Sequence, residues 1–232
     1  MGTLNSDAID STWKGLYRAG GVAALIAGIV FRRNLSAEAS LLGAQVPGSV
    51  ADWFALLQNS RLLGLTLLNV FDVVDYALVG LMALALWAAL QRVNKSASAI
   101  AAVCGLAGAA VYFSSNTAFA MLSLSGQYAA ATSDAQKSML LAAGQAMLAL
   151  ERGSGAYLSL LLLAIAGLVF SVVMLHSSIF GRGVAYVGIV ASVIDLAYCI
   201  IVALVPAIDG DLIAVCTLPL AGLLLMIWHI LI

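Results

Sequence analysis

Charge is the first thing missing. Only 9% of the 232 residues are Asp, Glu, Lys or Arg, where a soluble domain carries about 25%. So few charges cannot cover a surface that faces water on all sides. Ten basic residues stand against eleven acidic ones, for a net charge of −1, so the basic footprint that nucleic acid demands is absent and nucleic acid is excluded as a partner. Cysteine is scarce too: Cys104, Cys199 and Cys216 all lie in apolar runs, and no CxxC pair occurs. That excludes a disulfide framework and a zinc-ligand spacing, and leaves three small buried hydrophobes. There is no HExxH, no GxSxG and no glycine-rich phosphate loop, so an intramembrane enzyme is the weakest reading, with no catalytic residue and no cofactor assigned. The two histidines, His176 and His229, stand near the ends of apolar runs, where a histidine complements the helix dipole more often than it binds metal. Of the three prolines, only Pro206 and Pro219 lie near candidate spans, both close to helix ends. Proline-broken helices are therefore not expected, which counts against a transporter.

What fills the chain instead is hydrocarbon. Hydrophobic residues make up 63% and the mean hydropathy is +1.08. A membrane helix needs about 20 mostly apolar residues. Six segments qualify, at 15–31, 62–90, 97–124, 154–176, 183–206 and 212–232. Polar breaks separate them: "RRNLSAEAS", "QRVNKS", "SSIFGRG" and "PAIDGD". The first run has Lys14 and Arg18 ahead of it and "AEA" at 37–39 behind it, as a signal peptide would. However, Arg32 and Arg33 stand between run and cleavage site, so it reads as a retained helix. The fold class is all-α: a polytopic bundle of six transmembrane helices in one integral domain, 1–232, placed in the plasma membrane with the lipid bilayer as its partner.

Two loops carry helical faces of their own. In 49–60, Val50, Trp53, Phe54 and Leu57 share one face, and in 133–152 so do Met139, Ala143, Met147 and Leu150. Both read as amphipathic loop helices, packed on the bundle in preference to lying on the bilayer. With the N-terminus inside, Lys14, Arg18, Arg92, Lys95 and Arg182 fall on the inner side, and Arg32, Arg33, Arg61, Lys137 and Arg152 on the outer. That is an even split, which the positive-inside rule does not resolve. The short basic loops after the second and fourth spans favour the N-inside arrangement.

The chain also echoes itself. "GLYRAGGVAALIAGIVF" (15–31) parallels "GAYLSLLLLAIAGLVF" (155–170), and "VVDYALVGLMAL" (73–84) parallels "VIDLAYCIIVAL" (193–204), setting Asp75 on Asp195. Two three-helix halves, 13–124 and 154–232, would follow, the second inverted in the membrane, as in many transporters. Against this, apolar sequences draw on few residue types and match by chance. Along the third span Ala97, Ala101, Gly105 and Ala109 recur every four residues, a spacing that lets helices approach closely in lipid.

Against so apolar a background, "NVFDVVDYALVG" (69–80) stands out. Thr66, Asn69, Asp72 and Asp75 follow one another every three residues, a slowly winding polar stripe on one helix. An aspartate at the bilayer centre costs about 2.5–3.5 kcal/mol and normally faces the bundle interior. "SSNT" at 114–117 and Asp195 with Tyr198 reach similar depths in their own spans, and no lysine or arginine lies there to neutralise the acids. The candidate ligand- or ion-binding residues are Asp72, Asp75, Asn69, Asn116, Ser115, Asp195 and Tyr198. They would bind or transport an ion, a proton or a small polar ligand. The alternative is interhelical glue, each contact adding about 0.6 kcal/mol, in an accessory or scaffold subunit of a larger membrane complex.

"YRAGGVAALIAGIV" near the N-terminus, the six-span layout, the long polar loop after span one and the amphipathic insert before span four resemble a bacterial and archaeal membrane-protein family, domain of unknown function 4386. The resemblance covers about residues 13–232 and implies a multi-pass membrane protein without an assigned activity. Such proteins usually end in a polar tail. This chain stops at "IWHILI", so a C-terminal segment is expected to be missing.

Overall fold

The computed structural model describes residues 11–36, 46–205 and 210–232, all helical or connecting, with no strand among them. The loop 37–45, Pro206 and the start of the acidic "DGD" lie outside the described residues. Ten α-helices follow in order: α1 Lys14–Ser36, α2 Val50–Asn59, α3 Arg61–Leu67, α4 Asp72–Leu90, α5 Lys95–Ser115, α6 Ala118–Ala130, α7 Asp134–Leu150, α8 Ala156–Met174, α9 Arg182–Leu204 and α10 Gly210–Leu231. A single π-helical turn, Glu151–Gly155, joins α7 to α8. Side-chain caps start three of the helices. Ser49 accepts from the Asp52 amide (3.2 Å), Asn94 from that of Ala97 (3.0 Å) and Ser133 from that of Gln136 (3.2 Å), each satisfying a donor that the first turn leaves open.

The helices sort into two layers. The first layer is a ring in which α1, α4, α5, α8, α9 and α10 pack successively, closed by α10 on α1, with α4 also touching α8. Its core gathers Met82, Leu86, Phe170, Met174 and Trp228. Among the described residues four stretches are long and apolar enough to cross a bilayer: Asp72–Leu90, Lys95–Ala130, Tyr157–Met174 and Arg182–Leu204. The small-residue stripe of α5 faces inward: a Cβ on Gly105 would meet Ala83 of α4 and Ala166 of α8. The ring is followed in chain order throughout. A two-fold axis in the membrane plane would reverse that sense between the halves, so the packing gives the inverted repeat no support.

The second layer is a cap of α2, α3, α6 and α7, packed on one another around Val50, Trp53, Phe54, Leu57, Met121 and Leu148. The four residues expected to share the face of α2 are all buried there. The face of α7 is turned from expectation. Gly144 and Leu148 are buried, while Met139 is 69% exposed, because the close seat of Gly144 under Val50 and Phe54 sets the rotation.

Two expected spans are shorter than their apolar runs. The second, 62–90, breaks at 68–71, so that α4 alone crosses. Asn69 there has φ 54°, a left-handed conformation that asparagine tolerates. The third, 97–124, breaks at 116–117. The 36 residues of Lys95–Ala130 would extend about 54 Å at 1.5 Å each, well beyond a hydrocarbon layer of about 30 Å. α6 thus leaves the membrane layer and belongs to the cap. Neither break contains glycine or proline.

Candidate functional site

The breaks meet at one level, the junction of cap and ring, and their loose backbone groups are bonded there. Asn116 Nδ2 donates to the carbonyls of Asn69 (3.2 Å) and Leu68 (3.5 Å), and the Tyr112 hydroxyl donates to Asn69 O (3.2 Å). Thr117 Oγ1 donates to Glu151 Oε2 (2.8 Å), and Ser115 Oγ to Val111 O (2.8 Å). A Cβ on Gly155 would fall on Ser115, so the π turn packs directly on the end of α5. Irregular backbone at membrane depth persists where protein groups satisfy it in this way.

Because the second span breaks at 68–71, both aspartates of "NVFDVVDYALVG" fall in the first turn of α4, whereas the uninterrupted run would set Asp75 near mid-span and Asp72 in its outer half. The positive end of a helix dipole favours carboxylates there. Asp75 turns inward and is 8% exposed. Asp72 is half-buried. Tyr76 stacks on Tyr112, with centroids 3.7 Å apart, and its hydroxyl shares a hydrogen bond with Ser159 of α8.

Beneath this junction lies a cavity of about 120 Å³ within the ring. Asp75 and Tyr76 of α4, Ser192 and Asp195 of α9, and Trp228 and His229 of α10 bring polar atoms to a wall otherwise made of residues such as Val79, Met82, Leu160 and Phe170. Asp195, in the middle of α9, is 3% exposed. Four residues of this wall each bury a polar atom that, among the described residues, has no hydrogen-bond partner: Asp75 Oδ1, Ser192 Oγ, Trp228 Nε1, which lies towards Gly188, and His229 Nδ1. Leaving one such atom unpaired costs about 1–3 kcal/mol. Four around one space need a reason beyond packing.

Close helix approach builds the lower wall. α8 carries Gly167 and Ser171, and α9 carries Gly188 and Ser192, each pair four residues apart. A Cβ on Gly167 would meet Ser192 Oγ, and one on Gly188 would fall on Ser171 Oγ and the Trp228 ring. Each glycine therefore receives a serine of the facing helix, and Trp228 is seated behind Gly188.

The seven residues singled out by sequence separate by role. Asp75 and Asp195, paired in the echo of "VVD" and "VID", come to the same cavity, while Asp72, half-buried one turn before Asp75, is not in its lining. Asn69, Ser115 and Asn116 belong to the bonded junction above it. Tyr198 lies outside the lining and stacks on Tyr157, hydroxyl to hydroxyl 3.5 Å. The histidines do not converge: His176 is exposed beside Val172 O (3.1 Å), while His229 is buried in the cavity wall. His229, expected to complement a helix dipole at a span end, is buried in the cavity wall, and Ser192 and Trp228 escaped sequence reasoning. Their available signal was the Gly-x-x-x-Ser spacing repeated on neighbouring spans.

No curated protein and no solved structure matches the chain. The model of one family, described as a domain of unknown function (DUF4386), matches residues 15–232, which takes in the whole ring, the cap and the cavity. With its apolar helices long enough to cross a bilayer, the chain is a multi-pass membrane protein and belongs to the DUF4386 family.

Proposed function

We propose that this protein binds a small polar solute in the cavity between α4, α8, α9 and α10, and that the broken helices above it form the route from the cap side. The observation that carries this reading is the meeting of Asp75, Ser192, Trp228 and His229 on the wall of one space, each with a buried polar atom that has no partner among the described residues. Interhelical glue requires bonded groups, as at Asn116 and Thr117; the wall of the cavity has the opposite character. On this reading α1 and α10, with 23 and 22 residues, complete six spans in a cell membrane. Discontinuous helices beside a buried polar site are the form that solute pathways take in membrane proteins, so passage of the bound solute accords with the same reading.

The test is water access. In a background without the native cysteines, Ser192→Cys should react with a small water-soluble methanethiosulfonate in intact membranes. Val193→Cys, 48% exposed on the neighbouring, outward face, should not. An unreactive Ser192→Cys in a folded protein would mean a dry cluster and would leave the accessory-subunit reading ahead.

A further inference from the structure

We infer that the solute is a small protonated amine with an apolar body. The inference rests on the cavity reading above and narrows it to one chemical class.

Charge decides the sign. Two carboxylates from different helices, Asp75 and Asp195, line the space. No lysine or arginine occurs in 62–90, 154–176, 183–206 or 212–232, the stretches that furnish nearly all of the wall. An anion meets repulsion from both acids. No lysine or arginine of the lining supplies a counter-ion, and an ammonium group supplies one along with three N–H donors. Asp75 is more than nine-tenths buried, and its Oδ1, without a partner among the described residues, is an acceptor for such a donor.

Size and lining decide the body. About 120 Å³ is far more than the 10–15 Å³ or so that one water needs, and somewhat less than the cavity of about 150 Å³ that admits benzene. A bare hard cation is a poor occupant, because calcium takes six to eight oxygen ligands and magnesium a near-octahedral shell, whereas Val79, Met82, Ala83, Leu160 and Leu163 offer carbon. The same carbon suits a short alkyl chain. Tyr76, Phe170 and Trp228 add aromatic rings to the lining, and a cation within about 6 Å of such a face gains further attraction. Ser192 Oγ, as an acceptor, takes a second N–H of the ammonium group.

The experiment compares three isosteres on the unaltered full chain in nanodiscs: isobutylamine, isobutanol and isobutyrate at neutral pH, read by ligand-observed NMR and by shift of the melting temperature. We expect saturable binding of isobutylamine alone. Asp75→Asn and Asp195→Asn, both near-isosteric, should each weaken it at least tenfold, and Asp134→Asn on the cap should leave it unchanged. Equal binding of isobutanol would overturn the amine assignment and leave a neutral-solute cavity. Binding of none, with Ser192→Cys still reactive, would sink the amine inference alone; binding of none with Ser192→Cys unreactive would sink the cavity reading as well. The isostere comparison needs no variant, so it holds even where an aspartate substitution fails to fold.

Discussion

Gly188→Ala probes the close seat on α9 of Trp228, a residue of the cavity wall. A Cβ at this position would lie 2.8 Å from Trp228 Cδ1 and closer still to Trp228 Nε1 and Ser171 Oγ. Carbon atoms rest at about 3.5 Å or more, so the indole ring must retreat by roughly 0.7 Å. Trp228 is 2% exposed and its free side is the cavity, so it moves inward or α9 and α10 part. Overpacking of this kind costs about 1–3 kcal/mol. Replacing glycine by alanine inside a helix returns up to about 1 kcal/mol, which blurs the single measurement. Gly126→Ala on α6 removes the blur, since nothing lies within 4 Å of its Cβ and only the helix gain applies. The difference between the two variants should therefore be about 1–3 kcal/mol, equivalent to about 2–4 °C per kcal/mol in a chain of this size. SDS-titration unfolding in mixed micelles, followed by circular dichroism, measures both. If the two variants agree within about 0.5 kcal/mol, the close seat of Trp228 on α9 is wrong.

Ser125→Ala should loosen the cap alone. The buried Ser125 Oγ donates to Phe54 O (3.0 Å) and accepts from Gln58 Nε2 (2.8 Å), so a loss of about 1–2 kcal/mol is expected, with faster amide exchange in α2 and none in α9. Thr117→Val removes the bond to Glu151 Oε2 and should cost about 1.5–3 kcal/mol, as bonds to charged groups do; Thr117→Ser should restore the stability that a thermal melt reports. For orientation, Asn94→Cys, at the end of the ring away from the cap, should resist an impermeant label added to whole cells, and labelling there would reverse the N-inside arrangement.

Much of the ring was legible because its signal is compositional. Long apolar runs located the four helices long enough to cross a bilayer, and the cost of an aspartate in hydrocarbon pointed Asp75 and Asp195 inward before any packing was known. The face of α2 was legible for the same reason, since Val50, Trp53, Phe54 and Leu57 repeat at helical spacing. The breaks were not, because hydropathy is continuous through 68–71 and 116–117. They are encoded by Asn69, which tolerates a positive φ, and by Asn116, whose amide occupies the carbonyls that the break exposes. Both are tertiary effects without a proline or glycine to announce them. α6 was hidden by its own apolarity, being as greasy as a span while burying Ala118 and Met121 in the cap. Trp228 and His229 were hidden by the run "LAGLLLMIWHILI", where nothing distinguishes a lipid-facing residue from one held against Gly188.

The two polar levels of this protein answer the question raised by its intramembrane aspartates in different ways. At the junction, the polar groups are there to repair broken backbone, and substitution should cost stability. One turn further in, the repair ends. Asp75 sits in the first turn of α4 only because the chain broke just before it, which brings a carboxylate to a helix N-terminus, where the dipole favours it, while its Oδ1 stays free of any protein donor among the described residues. Asp195 has no such helix end to favour it and is buried all the same. A fold selected only for stability would exchange these acids for leucine, since nothing bonded would be lost and the cavity would fill. Their position on a shared space, beside Ser192, Trp228 and His229, therefore weighs towards occupancy by something outside the chain. The variant pair that separates the two explanations is Asp195→Asn and Asp195→Leu: a site loses its ligand in both, whereas a structural residue distinguishes them by melting temperature alone.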